Sequence, residues 1–455
     1  MHIERRHRER RSERVKYDIM KPFQQFARNE ASSSILLMGM TVMALIWANS
    51  PLATTYHHFW ETELHLSLGG HEISRSLRDW IDEGLMAFFF FTVGLEIKRE
   101  ILVGELASMK RAFLPVGAAI GGMAVPALIF LFFNSGLSTA YGWGIPMATD
   151  IAFSLGVLFI LGKRVPIGIR VFLSAFAIAD DLGSVFVIAV FYTKQIFTEY
   201  LLISAVIILF LAIANYMWVR KALIYSILGI LLWLSILASG VHATVAGIIV
   251  AMFIPARARY DTDGFIENVS RCMEEYQCPP DGCGDTVMLN RRHLNAAQAI
   301  EMACHNYETP LQRLEHALHP WVAFLIIPLF ALANVGVTLS GLNAGDMLFS
   351  PLALGITLGL VIGKPVGITL FAYITVRLGI AQLADDINWC HIVGAGILGG
   401  IGFTMSLFVS SLSFADPQIL DSAKIAILTG SIISGITGLL ILRFGVGLHP
   451  GKSAS

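Results

Sequence analysis

Three aspartates and one lysine fall inside apolar runs of this chain, and these are the residues best placed to do chemistry. Asp180 and Asp181 are neighbours in Phe176-Ala-Ile-Ala-Asp-Asp-Leu-Gly183, within an apolar run from about Ile167 to Tyr192. That run is long enough to cross a bilayer. Asp150 lies in the preceding run, in Pro146-Met-Ala-Thr-Asp-Ile-Ala-Phe-Ser-Leu-Gly156, and Lys364 in a later one, in Ile362-Gly-Lys-Pro-Val-Gly367. A charged aspartate in the middle of a membrane helix costs roughly 2.5–3.5 kcal/mol, so four ionised, unpaired groups would cost roughly 10–14 kcal/mol. A chain keeps such groups if they pair, face water or do work. Carboxylates provide the oxygen ligands that hard cations prefer. They also bind protons. One buried carboxyl can therefore hold a cation or a proton in turn. Asp180 and Asp181 diverge by about 100° around their helix, so they must serve different partners.

The elements that position these residues follow from composition. The chain has 455 residues, mean hydropathy +0.67, 55% hydrophobic residues and 14% charged ones, against about 25% charged in an average soluble domain. The expected fold class is an all-α polytopic membrane protein. The net charge of −1 is uninformative because the charges are segregated. The basic start, Met1 to Arg14, has no apolar core, which is not the pattern of a secretory signal. The first apolar run, Ser34 to Ala48, reads as a retained helix.

Apolar runs predict twelve membrane helices, at about 33–49, 78–97, 112–133, 144–162, 167–193, 200–219, 222–239, 241–255, 320–340, 351–378, 390–412 and 421–444. With twelve spans, the basic clusters all fall on one side: Arg5 to Arg14, Lys98/Arg99, Lys110/Arg111, Lys163/Arg164, Arg220/Lys221, Arg257/Arg259, Arg291/Arg292, Arg377 and Arg443/Lys452. The positive-inside rule then puts both termini in the cytoplasm. The organisation expected is a basic cytoplasmic segment (1–31), helices one to eight (32–255), a cytoplasmic loop with an insertion (256–318), helices nine to twelve (319–445) and a cytoplasmic tail (446–455).

Helix breakers cluster in Gly144-Ile-Pro-Met-Ala-Thr-Asp150 and in Gly394-Ala-Gly-Ile-Leu-Gly-Gly-Ile-Gly402-Phe-Thr-Met-Ser406. Each is the middle span of a triplet, 112–193 and 351–444, and the two triplets run in opposite directions. That is the signature of an inverted-repeat transporter with a midplane site. Glu63 to Ser74 alternates apolar and polar residues around Gly69-Gly70, which predicts an extracytoplasmic β-hairpin. An isolated hairpin is marginal, so a second protomer is a candidate for pairing with residues 63–74. Five cysteines occur, four of them (Cys272, Cys278, Cys283, Cys304) in the long loop. Their spacing is not that of a zinc site, and reduced thiols are the expectation in the cytosol.

These stretches together resemble the NhaA family of bacterial sodium/proton antiporters. The matching segments are Val93-Gly-Leu-Glu-Ile-Lys-Arg-Glu100, Ala148-Thr-Asp-Ile-Ala-Phe-Ser-Leu-Gly156, Asp180-Asp-Leu-Gly183, Ser239-Gly-Val-His-Ala-Thr-Val-Ala-Gly247, Leu314-Glu-His-Ala-Leu-His-Pro-Trp321, Ile362-Gly-Lys-Pro-Val-Gly367 and Gly400-Ile-Gly-Phe-Thr-Met-Ser406. They occur in family order over about residues 30–445. The resemblance implies two crossing broken helices, an inner-membrane location, and exchange of cytoplasmic Na⁺ or Li⁺ for H⁺ with no cofactor. It implies that Asp181 is the principal cation ligand and proton carrier, that Asp180 assists and pairs with Lys364, and that Asp150 with Thr149 and Lys364 compensates the broken-helix ends. It further implies a cytoplasmic pH-sensing cluster of Glu96, Arg99, Glu100, Glu315, His316 and His319, with His242 modulating it from the other face. Two departures stand out: a longer basic N-terminus, and an insertion at roughly Arg259 to Thr309.

Bland readings stand beside these. The buried charges could be a structural ion-pair network, Asp150 an ordinary helix cap, the 96–100/315–319 cluster a set of surface ion pairs worth little, and His242 structural. Other functions also remain open. Asp150 and Asp181 could imitate an intramembrane aspartyl protease, which needs two facing aspartates that share a proton. A cation-coupled solute transporter would need a roomier polar cavity than Thr149, Thr404 and Ser406 provide. No nucleic-acid partner is expected.

Overall fold

A computed structural model describes residues 32–68, 71–162, 165–193, 196–257, 262–275, 291–338, 348–384 and 386–445. The expected N-terminal segment (1–31), the tail (446–455), Cys278 and Cys283 lie outside the described residues. In chain order the helices are α1 (Ser32–Ala48), α2 (Ala53–Glu61), α3 (Met86–Val103), α4 (Met109–Asn134), α5 (Ile151–Leu161), α6 (Ile167–Phe191), α7 (Thr198–Tyr216), α8 (Ala222–Ser239), α9 (Thr244–Phe253), α10 (Thr262–Glu275), α11 (Arg291–Tyr307), α12 (Pro310–Asn334), α13 (Pro351–Arg377), α14 (Trp389–Gly399), α15 (Phe403–Ser413) and α16 (Pro417–Phe444). Two strands, β1 (Glu63–Leu68) and β2 (His71–Ser76), pair antiparallel from Glu63 opposite Ser76 to Leu68 opposite His71.

Among the described residues, eight helices are long and apolar enough to cross a membrane, or up to ten if each of two bent pairs is one span. The bent pairs are α1 with α2, at 113°, and α14 with α15, at 43°. Two of the expected twelve runs fall short by length or composition. Helix α9 has only 10 residues, and α3 carries Glu96, Lys98, Arg99 and Glu100 toward its end. Lys98 offsets the shortness of α9: its ammonium donates to the carbonyls of Met252 and Ile254 and satisfies the free end of that helix.

Large apolar side chains face outward along the spans, among them Phe132, Leu202 and Ile436. In a water-soluble fold such a surface would drive association; in a bilayer it is the lipid-facing side. Helices meet through small residues, as membrane helices do. A Cβ on Gly121 would lie 2.3 Å from the carbonyl oxygen of Gly367, and one on Gly367 would lie 2.1 Å from that of Gly121. Only glycine at both positions lets α4 and α13 touch backbone to backbone. On the other side of the bundle, Gly247 of α9 rests against the backbone of Ala87 and Phe91 in α3.

The long loop is not structureless. It contains α10 and α11, which pack together with Phe265 and Tyr307 rings 4.6 Å apart. The ninth span starts at Pro310, well before the expected 319–320. Thr309 caps it, accepting from Gln312 N while the Gln312 side chain returns to the Thr309 backbone, and Pro310 occupies the first turn. The apolar run recognised in sequence was only the later part of this helix.

Candidate functional site

The site lies where two interrupted stretches meet. Before α5 the chain runs as a 3₁₀ segment, Ser138–Met147, and turns extended at Ala148 to Asp150. Asp150 then caps α5, its Oδ1 accepting from Phe153 N at 3.1 Å. Its other oxygen accepts from Thr404 N at 3.0 Å and from the Thr404 hydroxyl. Thr404 stands at the start of α15, so one carboxylate serves the positive ends of two helices. The backbone does the same in reverse: Asp150 N donates to Ile401 O at 2.7 Å, and Thr149 Oγ1 donates to Gly399 O at 3.0 Å. Ser154 Oγ donates to Leu398 O at 2.8 Å, and Ser406 Oγ to Ile145 O at 2.7 Å. Carbonyls freed by the break in α14–α15 thus find hydroxyls on the α5 side.

Why the break occurs at residues 400–402 is a matter of room. A Cβ on Gly400 would come within 2.4 Å of Leu360 O, and one on Gly402 within 3.1 Å of Ala148 O. These glycines admit other backbones; their φ angles, −72° and −90°, are open to any residue.

Lys364 approaches from α13, directly after a π turn, Gly359–Gly363. Such bulges are common at functional sites because they re-aim the side chains that follow. Its ammonium pairs with Asp180 Oδ2 at 2.8 Å, both side chains being fully buried, and donates to Thr149 Oγ1 at 2.7 Å. It also sits 5.5 Å from the centroid of the Phe176 ring. Asp180 Oδ1 is buried with no hydrogen-bond partner. Asp181, one residue on and also buried, accepts no hydrogen bond and forms no ion pair among the described residues. Asp180, Glu96, Asp150 and Lys364 are the charges that act on it.

Asp150, Thr149, Asp180, Asp181 and Lys364 are therefore brought together. Both Asp150 oxygens are engaged with Phe153 and Thr404, and Asp180 is engaged with Lys364. Engaged carboxylates do not favour the facing, proton-sharing pair that an aspartyl protease would require. The predicted pH-sensing residues form a second group. Arg99 bonds Glu315 at 2.6 Å and Glu100 at 3.1 Å, and His319 lies 3.7 Å from Glu96. His316 is exposed beside Glu315. His242 stands apart from this group: it packs edge-on against Phe408 at 5.6 Å, with Nδ1 3.3 Å from Thr244 Oγ1. Sequence reasoning passed over Asp82, Asn334 and Lys424, which are also buried. Lys424, a lysine at the start of the last apolar run, was the available signal.

The bundle and its interrupted helices define a multi-pass membrane protein of transporter class, with an acidic and partly unpaired centre. Comparison with known proteins narrows the class. The profile of the family described as Na⁺/H⁺ antiporter 1 matches residues 24–442. The Na(+)/H(+) antiporter NhaA of Oleidesulfovibrio alaskensis is 47% identical over 426 residues, covering 93% of this chain and 94% of the relative. That of Acidithiobacillus ferrooxidans is 46% identical over 432 residues, covering 93% and 97%, and that of Sulfurimonas denitrificans 45% over 427 residues, covering 94% and 96%. This chain belongs to the Na⁺/H⁺ antiporter 1 family.

Proposed function

We propose that this protein is a Na⁺(Li⁺)/H⁺ antiporter of the bacterial inner membrane that exports cytoplasmic sodium in exchange for protons by alternating access. The observation that carries this is the contrast between two adjacent buried carboxyls. Asp180 is held by Lys364, whereas Asp181 has no hydrogen-bond or ion-pair partner among the described residues. A carboxyl left in that state is ready to take a proton or a cation. The relatives' names supply the ion pair. Asp181 is the carrier, Asp180 its partner ligand, and Asp150, Thr149 and Lys364 balance the helix ends. The Asp150–Thr404 and Thr149–Gly399 links support two crossing broken helices within inverted repeats. Helical counterparts to each of the twelve apolar runs support twelve spans, and the placement of basic residues supports cytoplasmic termini. The Arg99–Glu315 and Glu96–His319 group, with Glu100 and His316, is read as the pH-responsive surface at the cytoplasmic end. His titrates near neutrality and suits that task.

Addition of Na⁺ to the purified, lightly buffered protein tests the reading. Release of protons, saturating with Na⁺ and reproduced by Li⁺ but not by choline, is expected. Na⁺ binding with no proton release would overturn it. The cation-coupled solute transporter has no support in the site, where the polar side chains are taken up by helix ends.

A further inference from the structure

One short stretch, Asp386 to His391, anchors the first turns of two helices that build the site. Helix α6, which carries Asp180 and Asp181, begins after Pro166, a residue with no side chain to cap it. The missing acceptor comes from another element: Asp386 Oδ2 accepts from Gly168 N at 2.9 Å. A Cβ on Gly168 would collide with that carboxylate, so glycine is what lets it reach the backbone. Helix α14, which leads to the break at residues 400–402, starts in a capping box. Asn388 Oδ1 accepts from His391 N at 3.0 Å, and His391 Nδ1 accepts from Asn388 N at 3.1 Å. The returning acceptor in such a box is ordinarily a glutamate or glutamine, as Gln312 is in the box that opens α12. Here it is an imidazole.

That exchange has a chemical consequence. An imidazole accepts at Nδ1 only while it is neutral, with its proton on Nε2. Nε2 is buried with no hydrogen-bond partner, and the residue is 5% exposed. Protonation changes three things. Nδ1 becomes a donor facing another donor, Asn388 N, and the box opens. A positive charge appears at the positive end of a helix. Asp386, the charge among the described residues that acts on the imidazole, gains a competitor to Gly168 N. Helices α13, α16, α6 and α5 pack against α14. Their described basic residues toward this end are Arg377, Arg443 and Arg170. The first two are exposed, and the third donates to Gly162 O and lies over the Phe159 ring.

Both helices run from this stretch to the transport centre. In α14 and the break after it, Leu398 O, Gly399 O and Ile401 O accept from Ser154, Thr149 and Asp150. Helix α6 brings the Asp180–Lys364 pair and Asp181. We infer that His391 is a positioning residue that works as a proton-operated cap. Neutral, it holds the first turn of α14 in register with that of α6; protonated, it releases both and slows transport. The inference rests on the antiport reading. It is separate from the Arg99–Glu315 and Glu96–His319 group, which joins α3 to α12.

Glutamine at position 391 offers Asn388 N the same kind of acceptor and does not titrate; alanine offers none at any pH. Exchange by the full chain in everted vesicles, at saturating Na⁺ so that protons do not compete for the carboxyls, is compared at about pH 8 and about pH 6, either side of the ordinary histidine value of about 6.5. Wild type should lose exchange several-fold on acidification. His391→Gln should match wild type at the higher pH and keep several-fold more exchange than wild type at the lower one. His391→Ala should be slow at both, with a shallower pH dependence. An acid fall in His391→Gln equal to that of wild type would overturn the cap, and so would wild-type exchange in His391→Ala. A glutamine variant that is slow at both values or fails to fold would also overturn it, since the imidazole would then do something that a neutral acceptor cannot replace. Absence of Na⁺-driven proton movement in the wild type at either pH would instead count against the antiport reading itself.

Discussion

Lys364 and Asp180 form an ion pair of 2.8 Å with both side chains fully buried, and Asp181, the next residue, has no such partner. The divergence of neighbouring side chains around a helix makes this possible. One aspartate turns to the α13 lysine and the hydroxyl of Thr149, and the other turns away. A pair of identical residues is thereby given two different surroundings by geometry alone.

Asp181→Asn should abolish Na⁺-driven proton release while leaving the folded protein in the membrane. The carboxamide keeps the shape, and the Asp180–Lys364 pair is untouched. Asp180→Asn should be milder for cation binding and harsher for stability, because it strands a buried ammonium. Proton release measured on both variants, beside a thermal melt, checks this. Substantial proton movement in Asp181→Asn would show that the carrier is elsewhere.

Gly121→Ala and Gly367→Ala should each destabilise the protein by about 1–3 kcal/mol, the usual range for overpacking, because the new Cβ meets a facing carbonyl oxygen at 2.3 and 2.1 Å. Gly435→Ala, whose Cβ would meet Ile401 Cδ1 at an ordinary 3.6 Å, is the control and should be close to neutral. Thermal melts in detergent compare the three. Equal melting temperatures would mean that α4 and α13 can part freely.

Much of this architecture could be read from residue types. Asp150, Asp180, Asp181 and Lys364 stood out because charges inside apolar runs are expensive, and the breaks near residues 148 and 400 were flagged by Gly and Pro. The Asp150–Thr404 link was not legible, since their separation of 254 positions leaves no local pattern. Nor was the role of Gly400 and Gly402, where the constraint is a facing carbonyl on another element. The Asp82–Asn334 contact escaped for a further reason. Both residues lie toward the ends of apolar runs, where a polar side chain looks solvated until the neighbouring helices are placed. The helical content of the insertion was missed because α10 and α11 are polar amphipathic helices with no membrane-length apolar run.

Deleting Tyr260 to Glu308 should preserve exchange. The segment holds α10 and α11, which pack mainly on each other, and one tie to the spans that is lost is Arg220 Nη2 to Glu308 O at 2.9 Å. Thr309 must be kept, because it caps α12. Exchange in everted vesicles is the measurement. Loss of activity in protein that is inserted and folded would show that the insertion acts on the site.

Lys364→Ala carries the most information. An ammonium cannot ligate a cation, so the variant should still bind Na⁺ through Asp181. Removing one member of a buried pair leaves the other charge uncompensated, which costs about 3–5 kcal/mol, and the melting temperature should fall well below wild type. Asp180→Asn added to Lys364→Ala should recover part of that loss, since neither charge then remains. The transport consequence depends on what happens when Na⁺ reaches Asp180. The cation competes with Lys364 for the carboxylate, and the released ammonium, left buried beside the Phe176 ring and the Thr149 hydroxyl, is free to give up its proton. Lys364 would then carry one of the exchanged protons, and transport would move net charge. Reconstituted Lys364→Ala should therefore exchange with a weaker response to an imposed membrane potential than wild type. If residual exchange responds to voltage as strongly as wild type, Lys364 serves only to balance the ends of the interrupted helices, and the protons travel by the carboxyls alone.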